Sequence, residues 1–327
     1  MVAPREAYGE MLVELGKENP DIVVLDGDLS VSTKTDKFAK AFPERFFNMG
    51  IAEANIMTVA AGLARSGKVP FASTFAVFAT GRAYDQIRQS IAYTGLNVKI
   101  VATHAGLTVG PDGASHQALE DVALMRVLPG MVVVVPADVQ ETRAAIRAAV
   151  RYQGPVYIRL GREAVPDVLR DGDGFEIGKS RVLWPAVTRE AVVAAPKADP
   201  PRFDVSFIAC GVMVKACLDA AVVLEAQGMK CVVADFASVK PLDEELLLAM
   251  ARSSKAMVTA EEHSIVGGLG GAVCEVVAGE HPVPVYRVGV RDRFGESGPA
   301  EALLEAYGLT AKDVAAAARE VLKRTDR

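Results

Sequence analysis

Four short stretches place polar or aromatic side chains just after apolar runs, where parallel α/β sheets gather their ligands. THAGLTVGPDGASHQ carries His104 and His116, two of the four histidines in the chain, with Asp112 between them on a Gly-rich loop. Two imidazoles and a carboxylate suit proton transfer near neutral pH, and glycine lets backbone come close to a ligand. In NMGIAEANIM, Glu53 opens an otherwise apolar helix, either as a carboxylate placed for the helix dipole or as a buried acid. STFAVFATGRAYDQ sets Phe75 and Phe78 three apart, and LDGDLSVS sets Asp28 and Ser32 after a strand.

The elements that must position these residues alternate along the whole chain, short β-rich runs with helical periodicity, which is the pattern of α/β layers with parallel sheets. Ala7, Tyr8, Met11, Leu12 and Leu15 recur at helical spacing, Asn19-Pro20 ends that helix, and 22–25 is a continuous apolar strand. Further strands are expected near 69–73, 98–103, 131–135 and 156–160, with helices near 53–65, 80–92, 117–127 and 138–152. Residues 1–165 form one domain in this reading. Residues 166–203, rich in Asp, Gly and Pro without sustained period, read as a linker with a short hairpin around Trp184. Alternation resumes over 204–327, with strands near 205–209, 230–236, 256–260 and 284–288, as a second α/β domain.

Composition excludes several classes of function. With 50% hydrophobic and 24% charged residues the chain is globular, not disordered. A net charge of −5 offers no field for nucleic acid or an anionic membrane, so any bound phosphate must be held by a few placed cations. No basic start precedes an apolar leader and no long uncharged apolar run occurs, so the expected location is cytoplasmic. Cys210, Cys217, Cys231 and Cys274 lack metal-site or redox spacing and read as reduced thiols.

Taken together, these stretches resemble the pyrimidine-binding domain of thiamine diphosphate enzymes, specifically the transketolase branch. GIAEANIMTVAAGLA resembles the catalytic-glutamate segment, and THAGLTVGPDGASHQ the paired-histidine loop with its spacing kept. Residues from about 204 onward are similar to the family's C-terminal domain, so the likeness spans the chain.

The resemblance implies a fold of two parallel-sheet α/β domains. It also implies that Glu53 hydrogen-bonds the ring nitrogen of the cofactor's aminopyrimidine, with burial against Ile51 and Ile56 raising its pKa. Phe78, with Phe75, would stack on the pyrimidine. His104, Asp112 and His116 would line the substrate channel, bonding sugar hydroxyls and moving protons during cleavage of a C–C bond. Asp28 and Leu29 would sit near the cofactor at the junction with another chain. Arg5, Ser32 and Arg162 match the family's two arginines and a serine that hold the sugar phosphate. Ala52-Glu53-Ala54 departs from the usual Arg-Glu-His and matches the related deoxyxylulose-phosphate synthases.

One family motif is incomplete. The metal and diphosphate site needs Gly-Asp-Gly followed at a distance by Asn; Gly172-Asp173-Gly174 occurs, but no asparagine follows Asn97. The Gly-Asp-Gly lies in the linker and reads as a turn. This chain therefore contributes no metal ligand of its own. Mg2+ and the diphosphate would be held by a partner matching the N-terminal half of a transketolase, with a two-fold pair of heterodimers as the assembly. The stretch EEHSIVGGLGG, with Glu261, Glu262 and His263, is expected to serve helix packing and subunit contact.

These features imply ketol transfer between sugar phosphates. Two competing readings are an oxo-acid-decarboxylating β subunit or synthase using the same half-site, and a non-catalytic interaction module of the same fold. Both histidines with Arg5, Ser32 and Arg162 favour ketol transfer over decarboxylation, and retention of Glu53 with the histidines weighs against a module without chemistry.

Overall fold

The computed structural model describes residues 1–169, 174–194 and 202–325. Among them are twelve strands: β1 (Ile22–Asp26), β2 (Phe46–Asn48), β3 (Val69–Phe75), β4 (Lys99–Thr103), β5 (Val132–Val134), β6 (Val156–Arg159), β7 (Arg181–Trp184), β8 (Phe203–Ala209), β9 (Cys231–Asp235), β10 (Ser238–Lys240), β11 (Ser254–Ser264) and β12 (Val285–Val290). They form two sheets, ordered β10-β5-β6-β4-β3-β1-β2 and β12-β11-β8-β9-β7. Apart from β10 and β7, every pairing is parallel, so the chain has the two α/β layers its periodicity implies.

The five central strands of the first sheet are buried on both faces, which is why they read as apolar runs. Val24, Phe71 and Val101 point to one face, under Tyr8, Met11 and Leu12 of helix Pro4–Glu18 and Ile146 of helix Val139–Arg151. Their neighbours Leu25, Ala72 and Ile100 point to the other, against Ile56, Met57 and Ala60 of helix Glu53–Arg65. That second cluster continues without a break into Phe236, Val239 and Leu246 of the second half.

Several elements differ from the expectation. Trp184 belongs to no local hairpin: β7 pairs antiparallel with β9, and Trp184 Nε1 donates to Glu225 Oε1 at 2.8 Å. Its partner strand lies about fifty residues further along the chain, beyond the reach of local periodicity. The helix expected from 117 begins only at Asp121, because the Gln117 side chain is bonded to loop carbonyls. Residues 78–92 are helical but wound largely in wide π-turns. Strand β10 comes from the second half yet closes the edge of the first sheet on β5. Gly172 and Asp173 lie outside the described residues. The four cysteines are free, three of them buried. Among the described residues no helix is long and apolar enough to cross a membrane.

Because β6, β4, β3, β1 and β2 are consecutive in the sheet and parallel, their carboxyl ends share one edge. Arg162, His104, Phe78, Asp28 and Glu53 all follow those ends, although they are far apart in sequence.

Candidate active site

The centre of this edge is a stack of rings. Phe75, the last residue of β3 and 6% exposed, lies against the His104 imidazole with centroids 3.8 Å apart and planes 20° from parallel. Phe78 stacks on Phe75 at 5.9 Å, and His116 meets Phe78 edge-on at 5.2 Å. The pairing of β3 with β4 sets Phe75 beside Thr103, the residue before His104, and so creates the first contact.

His104 is 3% exposed and has φ 56°, a left-handed backbone that non-glycine residues rarely adopt without a functional reason. Its Nδ1 lies 2.9 Å from Thr103 Oγ1. Burial, reinforced by the Arg5 and Arg162 charges, holds its pKa down to about 3, so the ring is neutral at physiological pH.

Glu53 is the first residue of its helix and 6% exposed. Ile56 is buried beside it, but Ile51 is 77% exposed and gives no apolar cover, because it lies in the turn before the helix. The carboxylate instead accepts a hydrogen bond from Arg82 Nη1 at 3.0 Å. The Arg82 guanidinium also lies 4.1 Å from the centroid of the half-buried Phe78 ring. A planar, N–H-bearing group thus rests on Phe78 while bonding Glu53.

A cationic group lies near His104. Arg5 Nη1 donates to the Ser32 carbonyl at 2.9 Å, while Arg162 Nη1 donates to the Val109 carbonyl at 2.7 Å and reaches Asp112 Oδ1 at 3.5 Å. Burial and the nearby Arg162 charge hold the Arg5 guanidinium below its usual range, and its Nε is buried without an acceptor. Two like charges and an orphaned donor meet here, with Glu163 Oε1 3.8 Å from Arg162 Nε.

The loop after β1 is set by Asp26, whose buried carboxylate accepts from Leu29 N at 2.6 Å, Thr33 Oγ1 at 2.7 Å and Thr35 Oγ1 at 2.9 Å. This fixes Leu29 and Ser32 and leaves Asp28 exposed at φ 64°, where it accepts from Asn48 Nδ2 at 2.9 Å. Among the described residues no hydrogen bond ties Asp28 to the ring cluster. Among the described residues no group of three or more His, Cys, Asp or Glu could hold a metal ion.

Sequence reasoning missed Arg82, Asp26 and the neighbour contributed by Thr103. Arg82 was legible, since it stands four residues after Phe78 in a helical stretch and i,i+4 side chains meet.

Residues 1–168 match the family model described as transketolase, pyrimidine binding domain, and 196–314 that described as transketolase, C-terminal domain. A putative transketolase C-terminal section from Methanocaldococcus jannaschii is 46% identical over 98% of this chain and 96% of its own. The 6-deoxy-6-sulfo-D-fructose transketolase subunit SqwH of a Clostridium species is 42% identical over 98% and 94%. A structure described as a split gene transketolase, inactive beta4 tetramer, is 58% identical, covers 99% of both chains and superposes with a TM-score of 0.88. Transketolase from Leishmania mexicana is 25% identical with a TM-score of 0.80, and this chain spans 46% of it.

Proposed function

The chain belongs to the transketolase family, carrying its pyrimidine-binding and C-terminal domains, and on that premise we propose that it is the C-terminal subunit of a split transketolase. In this reading it transfers a two-carbon ketol unit between sugar phosphates, and residues 1–165, 166–203 and 204–327 serve as pyrimidine-binding domain, linker and C-terminal domain. The observation that carries the reading is the pairing of Glu53 and Phe78 around one planar group, beside two histidines and an arginine-lined anion position.

Thiamine diphosphate, when bound, supplies the carbon centre on which the C–C bond is broken and remade. Glu53 would bond the pyrimidine ring nitrogen, Phe78 and Phe75 would present the flat apolar wall, and Leu29 and Asp28 would lie at the junction with the partner chain. His104, held neutral, can accept a hydrogen bond from a substrate hydroxyl, and His116 with Asp112 would line the channel beyond it. Arg5, Arg162 and Ser32 would bind the sugar phosphate, and the unsatisfied Arg5 Nε supports an anion there.

The partner would be an N-terminal-half subunit that carries Mg2+ and the diphosphate, in a two-fold heterotetramer active in the cytoplasm on pentose phosphates. Two observations support a missing half. This chain spans nearly all of two subunit-sized relatives but under half of a full transketolase, and the tetramer it superposes on is described as inactive. A second reading, synthase chemistry of the deoxyxylulose-phosphate type, draws on Ala52-Glu53-Ala54 and on a Geobacter sulfurreducens 1-deoxy-D-xylulose-5-phosphate synthase 37% identical to this chain. Glu53→Gln in the complete complex tests the shared core of both: turnover should fall by about 10²–10⁴ with the fold intact. Full activity would remove Glu53 from the chemistry.

A further inference from the structure

The loop that carries both histidines is held from outside its own sheet. Glu262, at the end region of β11 and 4% exposed, turns away from its own domain and accepts a hydrogen bond from the Thr108 amide through Oε1 at 2.6 Å. The carboxylate reaches that amide only because Gly106 has no side chain: a Cβ there would sit 2.3 Å from Glu262 Cδ, and its φ of 81° also favours glycine. The far end of the loop is tied to the same domain. Gln117 Nε2 donates to the Glu296 carbonyl at 2.9 Å, and Ser264 N donates to the Leu119 carbonyl at 2.7 Å. Arg159 completes the junction, donating to the Glu262 carbonyl at 2.9 Å and to Asp121 Oδ2 at 2.8 Å. His104 lies two residues before Gly106 and His116 one before Gln117, so the second domain grips the chain just after each histidine.

From this geometry we propose that Glu262 is a positioning residue that fixes the His104–His116 loop, which gives the second domain a part in the reaction. The proposal rests on the ketol-transfer reading, and it acts through the loop with no contact to substrate or cofactor. A single charge-bearing acceptor that sets a loop amide is worth most where reacting atoms must be placed within a fraction of an ångström. Burial pushes the Glu262 carboxyl above the usual carboxylate range, and a neutral amide oxygen can accept the same bond.

The test uses three variants of the full chain, each checked first for folding by thermal unfolding. Glu262→Ala removes the acceptor, Glu262→Leu fills the space without one, and Glu262→Gln keeps it. In the chain alone, hydrogen exchange at the Thr108 amide should speed up by about tenfold or more in the Ala and Leu variants and stay protected in Gln. In complex with the N-terminal-half partner, kcat should fall by about ten- to a hundredfold in Ala and Leu with KM nearly unchanged, and Gln should restore it. Unchanged exchange in a folded Ala or Leu variant would overturn the proposal, as would a Gln variant as impaired as Ala. Failure of both Ala and Leu to fold would also overturn it, by making Glu262 a residue of domain stability. If the unmodified complex shows no ketol transfer, the functional reading fails, while the exchange arm still decides the positioning claim.

Discussion

Arg82 bonds Glu53 at 3.0 Å while its guanidinium covers Phe78 at 4.1 Å, so one side chain makes both contacts that the cofactor's pyrimidine is expected to make. The pair joins a buried carboxylate to a cation that is 54% exposed. Arg82 thus occupies both the carboxylate oxygen and the ring face that the proposed function assigns to the pyrimidine.

Arg82 should therefore compete with the cofactor. Ion pairs with one exposed partner are worth about 0.2–1 kcal/mol, so Arg82→Met should tighten thiamine diphosphate binding in the assembled complex by about two- to fivefold. Calorimetric titration measures this; weaker binding by the variant would show that Arg82 supports the site.

Arg162 donates to the Val109 carbonyl of the histidine loop, and in the proposed function it also binds the sugar phosphate. Loss of a charge-assisted hydrogen bond costs about 1.5–3 kcal/mol, so Arg162→Ala should raise KM for sugar phosphates by about ten- to a hundredfold. Unphosphorylated ketoses should lose only the common part that comes from loosening the loop. Equal losses for both substrate types would remove Arg162 from phosphate binding.

His104 predicts a stability that depends on pH. Its pKa is down to about 3 in the folded chain against 6.5 for an ordinary imidazole, so between these values the unfolded state binds more protons. Stability from this group is fully present above about pH 6.5 and is lost as the pH falls toward 3. His104→Asn should flatten the fall of Tm over that window. An identical pH slope in the variant would contradict the neutral, buried assignment.

The sheets were legible in the sequence because helical and strand periods alternate cleanly, as in Ala7 to Leu15 followed by 22–25. The histidine loop and Glu53 were legible because their residue types are costly to place by chance after strands. What could not be read depends on contacts distant in sequence. Phe75 meets His104 only because β3 and β4 are neighbours; β7 and β10 find partners fifty to a hundred residues away; and Glu262 reaches Thr108 across 154 positions. Ile51 misled for a different reason, since apolar type alone does not say which side of a turn a residue occupies.

The most direct test of the central claim is ketol transfer from xylulose 5-phosphate to ribose 5-phosphate, with thiamine diphosphate and Mg2+. It should be measured for this chain alone and for this chain mixed with a subunit that carries Gly-Asp-Gly and the spaced Asn. Activity in the mixture and none from the chain alone is the predicted result. Turnover by the chain alone, or none in the mixture, would contradict it.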